Sequence, residues 1–272
     1  MAWVETESAS FTARHDEADA AAARDLLQDL ETFRGELAEL FEKTPGDISV
    51  IVHPRPYALA LAQPWLPLAR MFASPASRRY MAGWYSAREI HVLSPDALLE
   101  RASPGEGSRE ALMLSPLREY AHIAIGLNNP ALPPPFNPGS FLRYLRWAWL
   151  AEGAATHLSG QTPHLRAAVA RRLYEGDNPS FPPSPRDAPL LGGVLIDMLE
   201  QARGREAVAG LVSSLDEAGP GHAIERAFGR RLLEVERDWR ERLATGGSSG
   251  RVTRQRGHLH EVGPEEGGGL EA

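Results

Sequence analysis

The chain contains no cysteine among its 272 residues. This absence excludes disulfide bonds, zinc sites built on thiolates and catalysis by a cysteine nucleophile. A metal ion bound by this chain must therefore take its ligands from histidine and carboxylate side chains. The sequence holds 9 histidines and 36 acidic residues, so ligands of these types are plentiful.

The sequence also lacks a long apolar run and a concentration of positive charge. No stretch reaches the roughly 18 apolar residues that a membrane span needs. The opening segment MAWVETESAS has acidic residues and none of the apolar core of a secretion signal. The 36 acidic residues outnumber the 29 basic ones, and no basic stripe is present to bind phosphates. We therefore expect a cytoplasmic protein that binds neither membrane nor nucleic acid.

The composition is that of a folded globular protein, with 43% hydrophobic and 24% charged residues. Short strand patterns come first, at 10–15, at 48–52 and, as two candidates, within 80–93. A long helical pattern separates the first two, and helix signals such as Ser94-Pro95 dominate the rest of the chain. The sequence thus predicts an α+β fold, in which a small mixed sheet is followed by a helical lobe.

The same patterns suggest where the chain divides. Residues 1–160 are expected to form a lobe of sheet and helix, and residues 161–245 a helical lobe. The segment 128–138 contains five prolines and is predicted to be a rigid loop. Residues 246–272 are rich in Gly, Ser and Glu with almost nothing to bury, so we expect a disordered tail there.

One helical segment, at 112–125, is apolar nearly all round but carries ionisable side chains in its middle. These are Arg118, Glu119 and His122, and a buried helix rarely holds such groups without a structural or chemical reason. Residues four apart stack on one helix face, so Arg118 and His122 are expected to lie together with Glu119 beside them. Pro116 either begins this helix or kinks a longer one.

A second helix carries a carboxylate on its apolar face. Ser140 is expected to open this helix, and Phe141, Leu145, Trp149 and Glu152 then follow one another along a single stripe. A charged carboxylate left alone in apolar surroundings costs several kcal/mol. Glu152 therefore needs a partner, which can be a cation, a metal ion or a proton.

Together the two helices resemble the active site of the gluzincins, the peptidase MA-like zinc metallopeptidases. Zincins carry H-E-x-x-H on a helix, where two histidines bind zinc and the glutamate activates the zinc-bound water. This sequence reads R-E-Y-A-H from Arg118 to His122. Gluzincins take a third ligand from a glutamate on the next helix, and the run W-L-A-E-G-A-A at 149–155 is similar to that helix.

The resemblance implies a zincin-like fold and a role for each residue. Glu119 corresponds to the general base, His122 to the second zinc ligand and Glu152 to the third. The strands around Trp84 resemble the edge strand with which such enzymes hold an extended peptide. Gly192-Gly193 and the helix after them resemble the helical lobe of the family.

Arg118 occupies the position of the first zinc ligand and cannot fill it. A guanidinium has only hydrogen-bond donors and stays protonated, so it offers no lone pair to a metal ion. With two ligands left, we expect no bound cofactor, although the family binds zinc. Arg118 also brings a positive charge towards Glu119 and Glu152. We predict an ion pair between Arg118 and Glu152 that takes over the structural role of the metal.

Three functions stay open at the level of the sequence. A pseudopeptidase would keep the cleft and bind a peptide or protein segment without hydrolysing it, and we prefer this interpretation. An active metallopeptidase would need an unusual ligand, for which His53 and His91 are candidates, whereas His157 is expected to point away from Glu152. A partner-binding scaffold would have only a vestigial cleft. An ordinary salt-bridged buried helix also explains Arg118 and its neighbours when they are taken alone.

Overall fold

A computed structural model describes residues 3–176 and 178–245 of the chain. Within these ranges the fold is mixed α+β, with a five-stranded sheet early in the chain and helices through the rest, which confirms the predicted class. No helix in this part of the chain is both long and apolar enough to cross a membrane. The predicted tail at 246–272 lies outside the described residues.

The sheet contains β1 (Trp3–Glu7), β2 (Phe11–Asp16), β3 (Ile48–His53), β4 (Gly83–Tyr85) and β5 (Glu89–Leu93). Its strands lie in the order β1-β2-β3-β5-β4. The central strands β2, β3 and β5 are parallel, and β1 and β4 pair antiparallel at the two edges. Parallel neighbours need a crossover connection, and between β2 and β3 it is the first long helix.

The helices are α1 (Ala20–Ala38), α2 (Pro56–Ala62), α3 (Trp65–Phe72), α4 (Pro75–Arg78), α5 (Pro95–Arg101), α6 (Ser108–Met113), α7 (Ser115–Asn128), α8 (Pro138–Leu158), α9 (Arg166–Tyr174), α10 (Gly193–Arg203), α11 (Arg205–Ser213), α12 (Pro220–Phe228) and α13 (Leu232–Ala244). A 3₁₀ turn at Thr162–Leu165 precedes α9, and a π-helical turn at Ala188–Gly192 precedes α10. The sequence patterns predicted neither β1 nor the short helices α2 to α4.

Tyr120 holds the central helix α7 against the sheet and α1. Its ring meets those of Phe11 and Phe33 edge to face, with ring centroids 5.2 Å and 6.2 Å away. Its hydroxyl donates a hydrogen bond of 2.8 Å to the carbonyl of Pro45, which satisfies the one polar atom of the side chain. The polar residues that precede and follow Tyr120 on α7 are thereby held in a fixed orientation.

The helix starts decide one open alternative, at Pro116, and correct one prediction, at Ser140. Pro116 lies in the first turn of α7, where its missing N–H costs nothing, and α6 is a separate helix that ends at Met113. Ser140 does not open α8, because Asn137 is the N-cap. The Asn137 side chain accepts from the backbone N–H of Ser140, and the Ser140 hydroxyl accepts from that of Asn137.

The predicted apolar stripe of α8 is buried only in its second half. Trp149 and Glu152 are buried, whereas Phe141 and Leu145 are 47% and 40% exposed. The periodicity predicted an apolar stripe and did not indicate that its first half is exposed. In the first turns of α8 the same spacing therefore marks a surface.

One buried apolar cluster runs from Phe11 in the sheet to Leu243 in α13. The division into lobes at residue 160 stays a prediction. Segments on the two sides of residue 160 are in contact, because the backbone of α8 packs directly against the π-helical turn at Ala188–Gly192. A Cβ atom on Gly153 would lie 2.5 Å from the carbonyl carbon of Gly192, so a side chain has no room there.

We predict that Gly153→Ala lowers the free energy of unfolding by about 1–3 kcal/mol, because the added methyl forces α8 away from the turn. Chemical denaturation of the purified variant measures this change. Gly210→Ala is the matched control, since no atom lies within 4 Å of the added methyl in α11. The control should gain roughly 0.5–1 kcal/mol from helix propensity. Similar shifts in both variants would contradict the close contact.

Candidate functional site

The middle of α7 is buried on all sides, so its polar side chains face other helices and strands rather than water. Arg118, Glu119 and His122 are 5%, 2% and 1% exposed. α8 packs beside α7 and brings Glu152, itself 6% exposed, to the same place. The structure therefore gathers all four residues predicted from the two motifs into one buried cluster.

The guanidinium of Arg118 joins the two carboxylates. One terminal nitrogen donates to Oε1 of Glu119 at 2.9 Å, and the other donates to Oε2 of Glu152. The predicted contact between Arg118 and Glu152 is present. Because both partners are shielded from water, each hydrogen bond is charge-assisted and stronger than one at the surface.

Glu152 is held by further groups on both of its oxygens. The Tyr144 hydroxyl donates to Oε1 at 2.6 Å. Nε2 of His122 lies 3.6 Å from Oε2, too far for a good hydrogen bond but close enough for an electrostatic interaction. Tyr144 and Glu152 lie on the same helix, so α8 supplies both the carboxylate and the hydroxyl that orients it.

Strand β4 covers the cluster from the sheet side. The ring of Tyr85 stacks on that of His122, with centroids 4.4 Å apart and planes 6° from parallel. Gly83 lies against Glu119, and a Cβ atom at Gly83 would be 2.7 Å from Cγ of Glu119. Glycine is thus required at this position, because the backbone of β4 comes within contact distance of the carboxylate side chain.

Burial and charge act in opposite directions on the two carboxylates. Burial alone would raise the pKa of Glu152, but the Arg118 charge outweighs it and holds that pKa well below its ordinary value of 4.5. Burial raises the pKa of Glu119 above 4.5, since the charge of Arg118 offsets only part of the burial. Glu152 is therefore the ionised partner of Arg118, and of the two carboxylates Glu119 takes up a proton more readily.

Arg118, Tyr85 and Tyr144 each stay in one protonation state. Burial would lower the pKa of Arg118, yet the charges of Glu152 and Glu119 raise it above its ordinary value. Burial, and then the Glu152 charge, raise the pKa values of Tyr85 and Tyr144 well above 10.0. Arg118 is consequently a permanent cation, and both tyrosines keep their hydroxyl protons.

This cluster does not fit a catalytic zinc ion. Such an ion needs three protein ligands and an open position, whereas of the three positions that the resemblance assigns to ligands only His122 and Glu152 carry a lone pair, because Arg118 has donors alone. The guanidinium of Arg118 is already bonded to Oε2 of Glu152, the oxygen nearest His122. Among residues 3–176 and 178–245, no group of three or more His, Cys, Asp or Glu side chains is arranged to hold a metal.

The other histidines considered as ligands lie in different surroundings. His53 and His91 form a buried pair, with 3.0 Å between Nε2 of His53 and Nδ1 of His91. His157 faces α10, where its Nε2 lies 2.6 Å from the Glu200 carboxylate, as its position on the helix predicted.

The sequence motifs did not indicate every member of the cluster. Tyr144 could have been found from its spacing, because residues eight apart return to the same helix face and Glu152 was already known to need a partner. Tyr85 and Gly83 lie in a strand of three residues, and the sequence of so short a segment does not predict a contact with α7.

Comparisons of the chain with models of protein families, with curated proteins and with solved structures gave no match.

We predict unequal losses of stability when each carboxylate is replaced by an amide. Glu152→Gln leaves Arg118 with a single carboxylate partner whose pKa is raised, so it should cost about 3–5 kcal/mol of unfolding free energy. Glu119→Gln keeps the shape, removes the carboxylate that burial disfavours and should change stability far less. Urea denaturation at neutral pH measures both, and equal losses would contradict the assignment of Glu152 as the main partner.

The pH dependence follows from the same assignment. A carboxyl whose pKa is raised in the folded state stabilises it fully below pH 4.5, and that contribution is lost as the pH rises through the folded-state pKa. In Glu119→Gln, stability should therefore fall less than in the unaltered protein as the pH rises above 4.5. Glu152 acts in the opposite sense, since its contribution is present above pH 4.5 and is lost towards lower pH.

Proposed function

We propose that this protein is a zincin-like pseudopeptidase, a protein with the plan of a gluzincin metallopeptidase that binds an extended peptide or protein segment without hydrolysing it. The observation that carries the proposal is the position of Arg118. Its guanidinium bridges Glu119 and Glu152, the residues that the resemblance assigns to the general base and the third metal ligand. A permanent cation there balances the carboxylates that zinc would balance in an enzyme.

The absence of hydrolysis follows from what the side chains can do. Glu119 lies where the general base would be, but its Oε1 accepts a hydrogen bond of 2.9 Å from the guanidinium of Arg118, and this positive charge weakens the carboxylate as a base towards water. A fixed guanidinium in the same place cannot activate a water molecule as a metal ion does. Arg118 therefore supports a structural role for the cluster.

Binding is proposed at the outer edge of β4, beyond which no further strand pairs among the described residues. The backbone N–H of Ser86 donates to the carbonyl of Glu89, so this pair and the pair Trp84 with His91 are the hydrogen-bonded ones in the ladder. Gly83 and Tyr85 then direct their N–H and C=O groups away from β5. An extended segment can add to such an edge through main-chain hydrogen bonds.

Aromatic side chains stand beside this edge. The ring of Phe136, from the proline-rich loop, lies 5.6 Å from that of Trp84 and 5.5 Å from that of Tyr85, measured between centroids. Trp84 is half-buried and Phe136 is 38% exposed. A segment added to β4 would therefore meet apolar rings, which favours peptides with hydrophobic side chains.

Metal analysis tests the role of Arg118. The purified protein, equilibrated with zinc and then desalted, should retain far less than one zinc per chain. Arg118→His places an imidazole one turn before His122 and opposite Glu152, so this variant should bind about one equivalent. Arg118→Ala, which removes the charge and adds no ligand, should bind none and should lose stability.

Two outcomes would contradict this part of the proposal. Stoichiometric zinc in the unaltered protein, with chelator-sensitive cleavage of peptides, would support an active metallopeptidase instead. A folded Arg118→His variant that binds no zinc would mean that the cluster does not have zincin geometry.

Peptide binding is tested separately with a library of labelled peptides screened by fluorescence polarisation. We expect binders whose affinity is lost when alternate backbone amides are N-methylated, because β-addition uses every second amide. Trp84→Ala should weaken binding about fivefold or more. Trp3→Ala is the matched control, since Trp3 lies on β1 at the opposite edge. A library without binders, or binders insensitive to methylation, would leave the scaffold with a vestigial cleft as the better interpretation.

A further inference from the structure

A large apolar surface lies outside the cluster, on the short helices α2 and α3. Leu61, Trp65, Met71 and Phe72 are 78%, 64%, 70% and 73% exposed. Together with Tyr57 and Leu68 they form what we call the α2–α3 face. Neither the sheet nor the polar cluster uses these side chains.

The α2–α3 face is held outward by the way the two helices are anchored. Leu59 of α2 and Leu66 of α3 are buried, at 0% and 1% exposure. Arg70 turns inward and donates from Nε to the carbonyl of Met81 at 2.9 Å. On α3, Trp65, Leu68 and Phe72 recur at the spacing of one helix face, opposite to Leu66. Their exposure therefore follows from the fold of the segment and leaves several large apolar groups together in water.

The charge of this part of the chain is distinctive. Residues 48–88 contain five arginines and no aspartate or glutamate, whereas the remaining residues hold 24 basic side chains against 36 acidic ones. Arg55, at the start of α2, is exposed, and so is Arg78, which donates a hydrogen bond of 3.2 Å to the carbonyl of Met71 at the end of α3. In a chain with a net charge of -7, the segment that carries this apolar surface thus contributes only positive charge.

We propose that the α2–α3 face docks the protein on an anionic lipid surface. Exposed Trp, Tyr, Leu and Phe side chains on an amphipathic helix, with arginine nearby, are the combination that binds at the boundary between headgroups and acyl chains. The lack of any carboxylate over this segment favours a uniformly negative surface over a protein partner, whose surface would carry charges of both signs. The sequence predicted no membrane contact because it has no long apolar run. Docking on the surface needs no such run.

Sedimentation with lipid vesicles tests the proposal on the full chain. The protein should pellet with vesicles that contain phosphatidylglycerol, bind weakly to vesicles of phosphatidylcholine alone, and be released by high salt. The emission of Trp65 should shift to shorter wavelength on binding, and the shift should shrink in Trp65→Phe.

Single substitutions distinguish lipid binding through the α2–α3 face from non-specific adsorption of the protein to vesicles. Leu61→Ser and Trp65→Ser should each weaken vesicle binding about tenfold, which corresponds to the loss of one buried apolar side chain. Leu233→Ser is the matched control, because Leu233 is 76% exposed on α13, and it should bind as the unaltered protein does. Circular dichroism checks that each variant is folded.

Two results would overturn the proposal. Equal binding by Leu61→Ser and Leu233→Ser would mean that another surface holds the lipid. No binding to anionic vesicles, with self-association in solution that Trp65→Ser abolishes, would assign the face to contact between copies of this chain. Neither result bears on zinc or peptide binding, so the proposed function stands or falls separately.

Discussion

Two carboxylates buried side by side need a positive charge between them, and in this fold Arg118 supplies it. Without the guanidinium, Glu119 and Glu152 would both be desolvated and would repel one another, which costs far more than a surface pair of like charges. The contact also fixes geometry, since a planar cation with two donor nitrogens links α7 to α8 at one defined distance. The packing of β4, Tyr85 and Tyr144 around the cluster depends on this link.

The cluster differs from the zinc sites that its two motifs resemble. In such a site a metal ion would join the side chains at the positions of His122 and Glu152 and would leave an open position for water. Here the cation belongs to the chain and its donors are already bonded to carboxylates, so no such position is created. The asymmetry between the ionised Glu152 and the proton-binding Glu119 follows from which of them Arg118 neutralises more fully.

Much of this site could be predicted because helical spacing is regular. Arg118, Glu119 and His122 had to share a helix, and an acidic residue on the buried part of α8 had to find a partner. The contacts of β4 could not be predicted from the sequence. A strand of three residues is too short to show an alternating pattern, and its approach to Glu119 depends on tertiary packing. The helical spacing of Phe141 and Leu145 identified an apolar face, but spacing alone does not show whether other residues cover that face. The same limit hid the α2–α3 face, whose apolar residues resemble a core segment until their exposure is known.

Gly83 is the residue through which the edge strand β4 contacts the buried side chain of Glu119. The backbone of β4 rests on the side chain of Glu119 without an intervening Cβ, so β4 cannot move closer without displacing that side chain. If the proposed peptide segment drew β4 towards itself, Glu119 would gain room and water, and its pKa would change. Occupancy of the edge and protonation of this carboxyl would then be thermodynamically linked, so that binding would release or take up protons although the ligand does not touch Glu119.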